Sequence, residues 1–195
     1  MSSAQHDYGV QEKVTKVDAA RRQLHTAIRL FLEEGDLISV HTLSRAAHDI
    51  LRTLLLAKGG GSFIKDSEFI KVELRGELSK YLNHPSNFFK HADRDPEDVL
   101  TFHHMLCPLW LMDCCVMYQK LTGKFSRESA TFAMWFVVQY PDLLAPESAE
   151  LVNGLLDSGL VSRSVMTKEF CQETLKTPIK YPLPKTGDYE DDRPS

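Results

Sequence analysis

Asn87, Lys90 and His91 lie within five residues of one another, and together their side chains can handle a phosphate. Histidine exchanges a proton near neutral pH without strong tuning, which makes His91 the candidate general acid or base. Lys90 offers a point charge to a phosphate as negative charge develops, without the bidentate fork of arginine. If residues 87–92 are helical, Asn87 stands one turn before His91 on the same face, where its amide can bond a phosphate oxygen or a ribose. Asp93 and Arg94 follow after Ala92, as a supporting carboxylate and a further cation. The same residues also suit an ordinary helix end, where cations favour the C-terminal dipole and Asp93 or Asp95 caps the next segment.

Other groups call for the same weighing. His41, Arg45, His48 and Arg52 recur at helical spacing. This stripe could line a basic groove, with His41 and Arg45 as ligand contacts; it equally suits a solvated helix face or a polar seam. His103, His104 and Cys107 have one spacing of a metal site, yet no Cys-x-x-Cys pair accompanies them, so neither metal nor cofactor is expected. Asp113 stands among Met112, Cys114 and apolar neighbours, placed either to orient His91 or to pair with a core cation. No Walker loop, dinucleotide fingerprint, nucleophile elbow or zincin motif is present.

Helices must position these groups. Apolar residues recur at helical spacing over Val14–Glu34, Ser39–Ala57, Glu68–Leu82, Cys107–Thr122, Arg127–Tyr140, Pro146–Ser158 and Met166–Leu175, and no alternating strand pattern competes. Asp18–Arg22 and Arg29–Glu33 are oppositely charged i,i+4 pairs on the first of these. In the second, Val40, Leu43, Ala47, Ile50 and Leu54 form the expected buried stripe. Gly59–Gly61 end that helix as a flexible connector, and Pro85 bounds the segment that carries His91. Hydrophobic residues at 43% and charged ones at 26% describe a globular chain, and a net charge of −4 excludes wholesale coating of nucleic acid or anionic membrane. The opening residues carry no secretory signal, and Cys107, Cys114, Cys115 and Cys171 sit in apolar helical segments, which predicts reduced thiols and a cytoplasmic protein.

The segments AARRQLHTAIRLFLEEGDLISVHTLSRAAHDILRTLL, NFFKHADRDP, LMDCCVMYQKLTG and FAMWFVVQYP resemble an uncharacterised bacterial family of helical proteins related to the HEPN superfamily, over roughly Val14 to Pro141. The resemblance implies an all-α, up-down helical bundle, extended by short C-terminal helices, and a homodimer. The expected layout is a flexible N-terminus at 1–13, the HEPN-like bundle at 14–141, a helical extension at 142–177 and a Pro-rich acidic tail at 178–195. Many members of the superfamily are metal-independent endoribonucleases built on an Arg, four to six residues and a His. Here those spacings before His91 fall on Ser86, Pro85 and His84, and the nearest upstream arginine is Arg75. The expected function is therefore a dimeric module that binds RNA or a nucleotide phosphate near Asn87, Lys90 and His91. The alternatives are an endoribonuclease that uses His91 with a replacement cation such as Arg94, and a purely structural or protein-interaction dimer.

Overall fold

The computed structural model describes residues 11–66, 72–93 and 96–178, together with the backbone of 189–190. Seven α-helices make up most of the described residues, as the all-α reading requires. α1 (Lys16–Leu32) opens on a capping box in which the Thr15 hydroxyl accepts from the Asp18 amide and the Asp18 carboxylate accepts from Thr15. Its apolar stripe, Ala20, Leu24, Ile28 and Phe31, is buried. The charged face pairs otherwise than by i,i+4 spacing: Arg22 bonds Glu12, and Arg29 reaches Glu128 on a distant helix. A neighbouring pair on a helix surface is worth only tenths of a kcal/mol, whereas the buried carboxylate of Glu128 needs a cation.

α2 (Leu37–Leu56) begins at Asp36, whose carboxylate accepts from the Ser39 amide at 2.8 Å. It is the central helix, packed on α1 and on α4 (Leu106–Thr122). Being covered on more than one side, it buries a wider face than the expected stripe. Val40, Ala47, Leu51 and Leu55 enter the core, Leu43, Ile50 and Leu54 are half-buried, and His41, Ser44, Arg45 and His48 are buried too.

α3 (Val72–Phe88) runs through Pro85 and ends past it, not at Leu82. Proline removes the bond to the carbonyl of Tyr81, but Tyr81 lies on the solvent side, where water can take that carbonyl. Leu82, Ser86 and the Pro85 ring itself are buried, and this packing carries the helix through. α4 stops at Gly123, which sits at φ 80°. α5 (Arg127–Gln139) is capped by Ser126, which accepts from the Ser129 amide. α6 (Pro146–Asp157) buries none of its residues, whereas α7 (Lys168–Lys176) docks on α1 and α5 through buried Cys171. Residues Phe125–Ser126 pair in parallel with Tyr189–Glu190; apart from these and Pro178, the expected tail lies outside the described residues.

The main core gathers Leu24, Ile28 and Phe31 with Leu51, Leu111, Met117, Phe132 and Trp135. A smaller cluster under α3 joins Leu82, Leu106 and Trp110. All four cysteines are buried and unpaired. Burial pushes the thiols of Cys107 and Cys115 up to about 12 and that of Cys171 up to about 11, with Cys114 raised as well, so they serve as small apolar groups. Among the described residues no helix is long and apolar enough to cross a membrane.

Candidate functional site

Asn87 is in the last turn of α3, and its carbonyl accepts from the amides of both Lys90 and His91. The helix stops at Phe88, so Lys90 and His91 lie in the turn beyond it and not on one helical face with Asn87. Asn87, Lys90, His91 and Asp93 are all exposed; Arg94 and Asp95 lie outside the described residues. Asp113 is far from orienting His91. Fully buried, it accepts a hydrogen bond from His48 instead.

His41 and Arg45 depart most from a solvated face. His41 is 0% exposed, its ring set edge-on to Phe89 and Phe102 at centroid distances of 5.5 and 5.3 Å. Among the described residues neither ring nitrogen has a hydrogen-bond partner, and desolvation, with the charges of Arg45 and Lys90, lowers its pKa to about 4. His41 is therefore a neutral core group, sealed by the end of α3, and not a ligand contact. Arg45 is buried with its guanidinium 4.2 Å above the Trp110 ring, and its Nη2 donates to Asp49 at 3.1 Å and to Asn83 at 3.2 Å.

A buried polar relay starts from Arg45. Its Nη1 lies 3.0 Å from His48 Nδ1, and a guanidinium only donates, so Nδ1 accepts and Nε2–H donates to Asp113 Oδ2 at 3.0 Å. Asp113 also accepts from the Ser62 hydroxyl and, at 3.1 Å, from the Phe63 amide. Ser, His and Asp thus meet, yet not as a nucleophilic triad. In a triad the carboxylate takes one imidazole nitrogen and the serine the other. Here serine and carboxylate share the Nε2 side, Arg45 occupies Nδ1, and all three groups are buried. The relay is structural: it ties α2 to α4 and to the turn after Gly61.

That turn is more than a connector. The Ser62 amide donates to Asp66 Oδ2 at 2.9 Å, and Arg52 grips the same carboxylate through Nε and Nη2. So fixed, the turn carries Lys65 to Asn83, whose Oδ1 accepts from Lys65 Nζ at 2.8 Å. Lys65 also sits 5.6 Å from the Trp110 ring centroid. Burial, with Arg45 next in effect, lowers its pKa to about 8.

These contacts pair α2 with α3 in opposite directions: His41 meets Phe89, Arg45 meets Asn83, and Arg52 shares a cleft with Gly76 and Ser79. That cleft, of about 480 Å³, is lined by Arg52, Ile64, Lys65, Gly76, Leu78, Ser79, Leu82 and Asn83. Ser79, Asn83 and Asn87 succeed one another on one face of α3 at helical spacing; Ser79 and Asn83 line the cleft, and Asn87 is exposed just before the Lys90–His91 turn. A second cleft of about 310 Å³ lies on another face of α3, beside His84 and His103. No three His, Cys, Asp or Glu side chains among the described residues converge as metal ligands.

Sequence spacing singled out Arg45, His48, Arg52 and Asp113, but not that they meet. Lys65, Ser79 and Asn83 gave no signal, because single polar residues in separate segments have no pattern until the chain folds. Compared with models of known families, with curated proteins and with solved structures, the chain shows no significant match.

Proposed function

We propose that the protein is a non-catalytic helical module, acting as a homodimer, that binds RNA or a nucleotide phosphate along the groove between α2 and α3. The observation that carries this reading is the placement of cations about α3: Arg52 and Lys65 line the cleft, Arg45 lies buried beside it, and Lys90 stands exposed next to His91 in the turn past the helix. A local cationic track on a chain of net charge −4 directs an anion to one place. Binding is preferred to catalysis because no described side chain hydrogen-bonds the exposed His91 imidazole to fix its orientation, and proton transfer depends first on geometry. The expected resemblance to HEPN-like bundles belongs to this proposal, and the all-α architecture supports it.

Fluorescence anisotropy with a single-stranded RNA in EDTA tests the reading. The protein binds, leaves the RNA intact, and loses severalfold in affinity on Lys90→Ala, since each phosphate contact adds a salt-sensitive increment. Cleavage in EDTA that vanishes with His91→Ala at unchanged Tm would replace it with the endoribonuclease reading. A specific observation favours the third reading, a protein-interaction dimer: α6 buries nothing and leaves Leu151 67% exposed. Absence of RNA binding even at low salt would leave that reading alone.

A further inference from the structure

Within the groove, the Lys65 cleft has features that a track along a nucleic-acid backbone does not require. The single carbonyl oxygen of Asn83 accepts from both Lys65 Nζ and Arg45 Nη2, so two cations are drawn together by one neutral acceptor. Among the described residues no carboxylate lies within ion-pair distance of Lys65 Nζ; Asp49 turns to Arg45 and Asp66 to Arg52. Ser79 Oγ accepts from Asn83 Nδ2 at 3.3 Å, which leaves its O–H to donate. Arg52 spends Nε and Nη2 on Asp66, and no hydrogen bond among the described residues engages its Nη1. Donors from three separate elements therefore line one cleft, whose remaining lining includes Ile64, Leu78 and Leu82.

We propose that this cleft is a subsite for a terminal phosphate monoester, held by Lys65, Ser79 and Arg52, with Ile64, Leu78 and Leu82 against the group that the phosphate esterifies. The inference rests on the groove reading and deepens it: the ligand is a free mononucleotide or the 5′-phosphate end of an RNA, which share this chemistry. A monoester fits better than an internal diester on two counts. It brings close to two negative charges to a site where cations crowd one another, and it offers three unesterified oxygens to three donors. Burial first, and then the charge of Arg45, lowers the proton affinity of Lys65; the charges facing it are Arg45, Arg52, Asp49 and Asp66. Affinity is greatest between about pH 6, where the phosphate takes its second charge, and about pH 8, where Lys65 loses its proton.

The test uses the full chain. Calorimetry compares adenosine 5′-monophosphate with adenosine, and anisotropy compares one RNA with and without a 5′-phosphate. Adenosine monophosphate binds and adenosine does not, the phosphorylated RNA binds on the order of tenfold more tightly than its 5′-hydroxyl twin, and Lys65→Gln removes both differences while Lys65→Arg retains them. A preference for the RNA alone, without binding of the mononucleotide, assigns the subsite to RNA ends. The two comparisons on the unaltered chain need no variant to fold. Equal binding of the phosphorylated and unphosphorylated forms of both ligands overturns the subsite. If RNA binding weakened by Lys90→Ala persists, that result leaves the groove reading in place, whereas loss of all RNA binding removes both.

Discussion

His41 shows how burial changes what a side chain is for. An imidazole at helical spacing from Arg45 suggests a ligand contact, but Phe89 and Phe102 enclose it and no partner stabilises its charged form. The folded site refuses a proton until about pH 4, while the unfolded chain accepts one from about 6.5. The pKa is depressed on folding, so this contribution to stability is complete above pH 6.5 and is lost as pH falls toward 4. The loss amounts to about 3 kcal/mol. Denaturant titrations across that range are expected to show the decline, and His41→Phe to flatten it; an unchanged pH profile in the variant would place the titration elsewhere. Lys65 illustrates the converse, a residue with no sequence signal that the fold places beside two arginines.

The helices obey local rules where those rules are strong. Thr15, Asp36, Ser126 and Thr167 cap as their types predict, and Gly123 ends α4 in the left-handed region that a side chain resists. A Cβ added at Gly123 meets nothing within 4 Å, so Gly123→Ala tests backbone conformation alone. It is expected to cost about 1 kcal/mol, read as a lowered Tm. Local rules lost at Pro85, because the packing of Leu82, Pro85 and Ser86 outweighs one missing hydrogen bond whose acceptor faces water. They lost also on the charged face of α1, where distant Glu12 and Glu128 took the arginines from their neighbours.

For the molecule as a whole, the proposed binding of RNA by a chain of net charge −4 predicts a definite response to salt. Three or four phosphate contacts along the groove predict a slope of about −2 to −3 in log affinity against log salt on single-stranded RNA, at roughly 0.7 per phosphate. Anisotropy over a salt series measures it. A slope near zero would mean that the groove does not carry the ligand, and a much steeper one that other surfaces join in. α2 and α3 act here as one device, since the relay from Arg45 through His48 to Asp113 fixes the turn that presents Lys65.

Helical class, the approximate extent of most helices and the apolar stripe of α1 were legible in the sequence, because helix periodicity and caps are local and repeat within a few residues. The candidate site was legible only in fragments: the α2 stripe and Asp113 stood out as unusual, and the turn at Lys90 and His91 as exposed chemistry. Which way the α2 stripe faces, that Asp113 serves His48, and that Lys65 and Asn83 meet depend on contacts between residues 14 to 65 positions apart, from Ser62 with His48 to Asp113 with His48. No periodic pattern encodes such meetings. Packing α3 and α4 onto α2 decided them, by burying one set of polar groups together and leaving another at the surface.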